Sequence, residues 1–438
     1  MNLPNFFLAD LPPEAILSPA VIAEACDALK RNREKYLLSR TTDELVKILC
    51  EVATEWLQPD NKFRRLALEL GPAQTGFSAA TLARGFDGFF RRFTPENFKA
   101  LLVQDLGADN NRNLWRGPNL LVHIAAGNLP NPALMSLTLG LLTRSAQFMK
   151  CASGAALLPR LFAHSIYELD PKLGACLELA EWRGGNVALE SALFAGADCV
   201  TVTGGDETLL AIRSRLPAKT RFLGYGQRVS FGIVAREVLR DEEIAKFIAS
   251  AADDVIAWDQ NGCLSPHVIY VEERGAVESD KFAALLAAEL MQREAAEPRG
   301  KISVVESADI AARRSMYETL AAHRGDIKLW SSPNSTAWTV VFEHEVRFRF
   351  SPLNRFVFIK PVPDVAAVLQ GVDEIHGKIS TVGIAAPPEK AKELALRFAN
   401  WGVTRVCQLG QMQNPPLTWR HDGRPALGDL VTWTDLEQ

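Results

Sequence analysis

From Asn119 onward the chain alternates short β-rich apolar runs with amphipathic helical segments, and this alternation restricts it to mostly parallel sheets covered by helices on both faces. The first series is NLLVHIA, PALMSLTLGLLTRSA, FMKC, LPRLFAHSIYEL, DCVTVTG, ETLLAIRSRL, VSFGIV and EEIAKFIASAADDVIAW. The second runs through PHVIYVEE, a helix over 279–297, SVVE, a helix ending near His323, TAWTVVFEHEVRFRF, RFVFIKPV, ISTVGIA, the helix EKAKELALRFA and VTRVCQL. Two α/β units in tandem are expected, over 118–257 and 258–408. Upstream, residues 12 to about 107 read as helices, with Phe86, Phe89, Phe90 and Phe93 at the i, i+3, i+4, i+7 spacing of a face packed on a core. Downstream, Pro415, Pro416 and Pro425 with Gly423 and Gly428 break regular structure, so 409–438 is expected to lie across another domain or subunit.

At 438 residues the chain exceeds what one hydrophobic core usually supports. With 47% hydrophobic and 23% charged residues it has a globular composition, and a net charge of -4 with interspersed signs offers no basic stripe for nucleic acid. The N-terminus has no cationic region followed by a sustained apolar run, and the apolar stretches elsewhere are too short to span a bilayer, so a cytoplasmic location without membrane association is expected. Seven cysteines occur singly, without a CxxC pair, which disfavours a disulfide framework and a zinc site. The seven histidines never reach HExxH or HxxxH spacing, so no metal is implied.

Two segments carry chemistry. In HIAAGNLPNPALMSL a strand ends in Gly127 and Asn128 and opens into a helix that Asn131 is expected to cap, with Pro132 in its first turn. Such a crevice suits an anion or a cofactor, although the segment is not GxGxxG and a tight structural turn explains it too. In AWDQNGCLSPHVIYVEE, Cys263 follows a helix and a glycine and precedes a strand, which projects its sulfur from a loop into a cleft. A thiol there can attack a thioester or carbonyl when its anion is favoured. The other six cysteines read as buried apolar residues.

Together the two segments resemble the aldehyde dehydrogenase superfamily: Gly127-Asn128-Leu129-Pro130 is similar to its Trp-Asn-Phe-Pro motif, and Gln260-Asn261-Gly262-Cys263 to its Gly-Gln-x-Cys loop. HIAAGNLPNPALMSL, KCASGAALLPRLFAHSIYELDPKL, EWRGGN, DCVTVTGGDETLLAIR, RFLGYGQRVSFGIV and DQNGCLSPHVIYVEE more closely resemble the LuxC-type acyl-CoA reductases, from about Pro118 to MQNPPLTWRHDGRPALGDLVTWTD. The resemblance implies an aldehyde dehydrogenase-like fold with a nicotinamide-cofactor domain (118–257), a catalytic domain (258–408) and a homodimer or homotetramer. It implies Cys263 as the acyl acceptor and Asn128, with the Cys263 backbone N–H, as the oxyanion hole. Lys150 would bind the adenosine ribose, and Thr203-Gly204-Gly205 would lie beside the pyrophosphate, although a tight turn explains those glycines equally well.

Departures from the pattern are informative. Ser153-Gly154 stand where the superfamily carries a glutamate reading the ribose 2'-OH; without that carboxylate NADPH is permitted, with NADH the alternative. Gly224, in LGYGQR, replaces the general-base glutamate of the hydrolytic enzymes, which favours reduction of a thioacyl enzyme over its hydrolysis. The glutamate that holds the nicotinamide ribose has no evident counterpart; RFRFSPLNRFVFIKPV is where it is expected. The reading is a reductase that converts an acyl thioester such as acyl-CoA to an aldehyde with NADPH through Cys263. An acyl phosphate, or an acyl group delivered by a partner acyl-protein synthetase or acyl ligase, is the alternative donor, and a non-catalytic subunit of a multienzyme complex the alternative from another class.

Overall fold

The computed structural model describes residues 3–12, 14–107 and 114–437. In chain order its strands are β1 (Trp115–Arg116), β2 (Leu120–Ile124), β3 (Ala146–Cys151), β4 (Leu177–Glu181), β5 (Cys199–Thr203), β6 (Arg221–Tyr225) and β7 (Val229–Val234). There follow β8 (Pro266–Glu272), β9 (Ile327–Ser331), β10 (Thr339–Glu343), β11 (Phe356–Val362), β12 (Ile379–Ala385), β13 (Val406–Gln408) and β14 (Thr432–Trp433).

The first large sheet has the order β4-β3-β2-β5-β6, all parallel. Its central strands β2 and β3 are buried at every position, as parallel strands covered on both faces must be. Strand order reverses beside β2, between β3 on one side and β5 on the other, and such a switch point opens a crevice at the strands' C-terminal ends. The second sheet, β13-β12-β7-β8-β11-β10-β9, is parallel except for its edge strand β9. The chain crosses from one sheet to the other between Tyr225 and Val229, upstream of the 257/258 division expected from the sequence. The reason is that β7 finds its hydrogen-bonding partners in β8 and β12.

The N-terminal helices Pro19–Asn32, Thr42–Leu57, Lys62–Thr75, Ala79–Phe90 and Pro95–Leu106 each begin at a Ser, Thr or Asn whose side chain accepts a backbone N–H. Four of them, from Thr42 on, share one core with the helices Asn131–Leu142 and Leu157–Leu169 of the first sheet, where Trp56, Phe86, Phe90 and Phe162 meet. Gly85 lets helix Ala79–Phe90 approach the segment before Cys263, since a Cβ there would come within 2.1 Å of the Trp258 ring. The C-terminal segment returns across the first sheet: Arg221 donates to the carbonyls of Leu430 and Val431, and β14 pairs antiparallel with β1. No helix among the described residues is long and apolar enough to cross a membrane.

Candidate active site

Cys263 stands at the end of an unusual stretch of backbone. After helix Ile244–Ile256, Trp258, Asp259 and Gln260 adopt φ of 53°, 48° and 65°. Left-handed backbone costs an L-residue roughly 1–2 kcal/mol, so three in succession require strong tertiary anchors. Those anchors are visible. The Asp259 carboxylate accepts from Arg355 Nε at 2.8 Å and from the Gly300 N–H at 3.0 Å. Gln260 donates to the carbonyls of Pro266 and Phe356 and accepts from the Phe356 N–H, each at 2.8 Å. A second left-handed run, Leu353, Asn354 and Arg355, lies against the first, and the Asn261 amide donates to Asn354 Oδ1 at 3.3 Å. Beyond it the Cys263 carbonyl accepts from Ser230 Oγ at 2.7 Å, and Gln413 Nε2 donates to Ser265 Oγ at 2.5 Å. The nucleophile loop is thus built to hold one geometry.

The thiol of Cys263 lines a cavity of about 170 Å³. Its apolar walls include Phe89, Met135, Leu139, Trp258, Leu417 and Trp419. The Phe86–Phe93 stripe is buried as expected, and Phe89 serves in addition as a wall of this cavity. Burial pushes the Cys263 thiol up to about 11; Asp422 adds to this, while Arg228 and Arg405 oppose it. Burial thus favours the protonated thiol in the resting site.

Three polar residues on these walls were not singled out in the sequence. His123, in the middle of β2, is bonded to Thr201 Oγ1 at 2.7 Å through Nδ1 and to Gln147 Oε1 at 2.9 Å through Nε2. Because Gln147 uses its own amide on the Leu137 carbonyl, its Oε1 accepts from His123 Nε2–H and Nδ1 accepts from Thr201. Burial holds this imidazole down at about 4, hence neutral. His421 is also pushed down to about 4 by burial; it stacks on Tyr225 at 4.6 Å, and Trp419 lies tilted against it at 4.5 Å. Arg92 donates to the Pro415 carbonyl and fastens the C-terminal segment over the cavity. A histidine inside an apolar β-run was the available signal for His123; nothing local marks His421 or Arg92.

Asn128 lies in the turn after β2, and its amide donates to the carbonyl of Asn261, two residues before Cys263, at 3.2 Å. The structure therefore brings the two expected catalytic residues onto adjoining loops. On its other side Asn128 borders a small crevice shared with Gln74, Ala125, Gly127, Ala155 and Leu158. Lys150, next to last in β3, accepts the Ala125 N–H at 3.0 Å through its carbonyl; its buried ammonium is lowered by desolvation and supported in the opposite sense by Glu190, Cys151 and Glu181.

Ser153 is exposed in the following turn, where Gly154 adopts φ of 76° and donates its N–H to Glu181 Oε1 at 2.7 Å. A carboxylate thus stands at the Ser153-Gly154 turn after all, supplied by the end of β4. Gly204 and Gly205 open the helix Asp206–Arg213; a Cβ on Gly205 would meet nothing within 4 Å and one on Gly204 only ordinary contacts. Crowding in the turn does not demand these glycines, and the Gly204 N–H is already donated to the Tyr225 carbonyl at 3.2 Å. Thr203 lies elsewhere, on the wall of the thiol cavity.

Two sequence expectations change, and a third gains a steric reason. Asn131 does not cap its helix: the N-cap is Pro130 and no side-chain cap bond forms, because the asparagine already lies within the first turn. Instead its Oδ1 is buried with no hydrogen-bond partner among the described residues, a condition that costs about 1–3 kcal/mol. The absent base at Gly224 is steric as well as chemical, since a Cβ would come within 2.8 Å of Leu209 and Phe222. In the stretch searched for a ribose-binding glutamate, 347–362, no glutamate occurs, and the nearby Glu343 is committed to Lys360, Arg349 and Tyr317.

Comparison with known proteins bears on the fold and the family. In sequence the chain is similar to long-chain acyl-protein thioester reductase 2 of Photobacterium leiognathi (23% identity; 72% of this chain and 64% of the relative). It is likewise similar to the long-chain acyl-protein thioester reductase of Aliivibrio fischeri (24% identity; 72% and 64%). The match thus spans just under two thirds of the length of these relatives. In fold it resembles a putative aldehyde dehydrogenase PutA from Anabaena variabilis (TM-score 0.70, 15% identity, 96% of this chain and 92% of the other). It also resembles the glyceraldehyde-3-phosphate dehydrogenase GapN from Methanocaldococcus jannaschii, solved in complex with NADP (TM-score 0.65, 14% identity, 95% and 94%). The architecture is therefore aldehyde dehydrogenase-like, and because the family model for the acyl-CoA reductases called LuxC matches residues 37–433, the chain belongs to the LuxC acyl-CoA reductase family.

Proposed function

We propose that this protein reduces an acyl thioester to an aldehyde, with Cys263 carrying the acyl group. The observation that supports this most is the Asn128 amide tethered to the nucleophile loop beside a thiol that faces an apolar cavity. The Cys263 sulfur attacks the carbonyl carbon, the carrier thiol departs with the cysteine's proton, and the acyl chain lies among Met135, Leu139, Leu417 and Trp419. Asn128 keeps a second amide hydrogen, which stabilises the oxyanion together with the Cys263 N–H. Lys150, Ser153 and the Gly204-Gly205 turn would hold a dinucleotide, NADPH in the sequence reading. When bound, the nicotinamide supplies hydride to the acyl carbon. The resulting thiohemiacetal on Cys263 collapses to aldehyde and free thiol, and without a base at Gly224 water is a poor competitor for the acyl group.

The names of the relatives favour a protein-borne thioester among the donors, and an acyl-protein synthetase is the partner that the sequence reading offers to deliver it. Incubation with radiolabelled acyl-CoA or acylated synthetase, without cofactor, is expected to label the wild type and not Cys263→Ala. Equal labelling of the variant would remove Cys263 from the mechanism. Acyl phosphate serves as the comparison donor, and faster NADPH consumption with it would exclude the thioester as preferred substrate.

A further inference from the structure

The cavity that holds the Cys263 thiol contains a charge without a counterpart. No Asp or Glu lines it among the described residues, and its histidines, His123 and His421, are held neutral by burial, so Arg92 is its one permanently charged wall residue. The Arg92 guanidinium lies over the ring of Phe89, itself a wall of the cavity, at 5.6 Å. It donates to the Pro415 carbonyl and its Nε is buried without a partner, but Nη2, which also has no acceptor among the described residues, keeps accessible surface. Burial pulls the guanidinium down to about 10, and repulsion from Arg405 adds to this. Other buried arginines show what is missing. Arg355 pairs with Asp259 at 2.7 Å and with Glu294 at 2.9 Å. Arg314 and Arg405, which touch no carboxylate, each donate to several carbonyl and hydroxyl oxygens. A guanidinium keeps its proton, and a charge in an apolar enclosure is costly unless paired, so Arg92 calls for an anion that the described residues do not supply.

On the thioester reading above, the occupant of this cavity is the acyl chain, bonded at one end to Cys263. We propose that the far end of that chain carries a carboxylate and that Arg92 binds it, so that the substrate class is the monothioester of a dicarboxylic acid and Arg92 its specificity-determining residue. The planar guanidinium presents N–H donors that match a carboxylate, and the apolar walls between Arg92 and Cys263 take the methylene chain. A plain alkyl chain would fill the same walls and leave the charge unmatched. The product is then an aldehyde with a carboxylate at its other end.

Matched pairs test this: hexanoyl, octanoyl and decanoyl thioesters against the monothioesters of adipic, suberic and sebacic acid, each made on CoA and on N-acetylcysteamine. Release of the carrier thiol is followed in a single turnover without cofactor. At the chain length that bridges Cys263 and Arg92, the wild type is expected to react about tenfold faster with the carboxylated member, the worth of one charge-assisted hydrogen bond. Arg92→Met is expected to reverse this preference and Arg92→Lys to keep part of it. Each is read as a ratio between two substrates, from which a general loss of folded protein cancels. Equal or faster reaction of the alkyl member at every length in the wild type would overturn the proposal and leave the thioester reading intact. So would equal losses on both members in Arg92→Met, which would reduce Arg92 to a fastening of the C-terminal segment, or losses confined to the CoA thioesters, which would assign it to a phosphate of the carrier. Failure of every thioester to acylate Cys263 would overturn both.

Discussion

The crevice beside Asn128 and the cavity around Cys263 share Leu129 in their walls, yet they are made in different ways. The crevice is lined mainly by the turn after β2, 125–130, and the stretch after β3 around Ala155 and Leu157, closed on one side by Gln74 and Thr75, and several of its residues remain exposed. The cavity is assembled from Phe89 and Arg92, helix Asn131–Leu142, the left-handed run before Cys263 and the C-terminal segment 413–430, which are distant in sequence. A cofactor that is shared by many enzymes can be held by local backbone geometry at strand ends. A dry chamber for one reaction needs walls from several elements, and the price is visible in the strained loop and the protonated thiol.

The largest effect that can break this contrast is the titration of Cys263. Because burial raises its thiol to about 11, alkylation by iodoacetamide should climb about tenfold per pH unit from 7 to 10 and level only near 11. The sign follows from the direction of the shift: the charged form is disfavoured, so reactivity is gained as pH rises. Levelling near pH 8 would mean that the thiol is solvated and that the cavity does not govern it. Next in size, Asn128→Ala should slow single-turnover acyl transfer to Cys263 by about 100-fold, the usual worth of one oxyanion-hole donor. A loss under about threefold would make the Asn128 amide a tether for Asn261 and no more. Smaller again, Leu139→Trp should narrow the cavity and lower kcat/KM for a long-chain thioester about tenfold relative to a four-carbon one. Equal effects on both chains would place the acyl group elsewhere.

What could be read from the sequence follows the same division. The parallel sheets were legible because β2, β3, β7 and β8 are buried along their whole lengths and so appear as unbroken apolar runs. Asn128 and Cys263 were legible because each stands in a short motif whose neighbours fix its backbone. His421 was not, since its place in the cavity depends on a segment with little regular structure folding back across the first sheet. Nor was the left-handed run at Trp258–Gln260, which contains no glycine and is held by Arg355, 96 positions away from Asp259. Asn131 was misread because the cap rule depends on where the helix begins, and with Pro130 at the N-cap the asparagine falls inside the first turn.

The smallest predicted effect concerns the crevice and tests whether local reading suffices even there. Along the chain, Ser153-Gly154 are neutral, which argues for tolerance of a 2'-phosphate. In three dimensions Glu181 reaches the same turn from the end of β4, with Oε1 at 2.7 Å from the Gly154 nitrogen and its charge acting on Lys150. A carboxylate there accepts a hydrogen bond from a 2'-hydroxyl and repels a 2'-phosphate. Its exposure means that solvent weakens the repulsion, so the effect is modest. Glu181→Gln should raise the affinity for NADPH relative to NADH by about fivefold, measured by titrating each cofactor against tryptophan fluorescence without substrate, and the gain should shrink at high salt. An unchanged ratio would show that Glu181 only holds the Gly154 turn. The neutral pair at 153–154 would then set cofactor choice by itself, and the crevice, unlike the cavity, would be readable from adjacent residues alone.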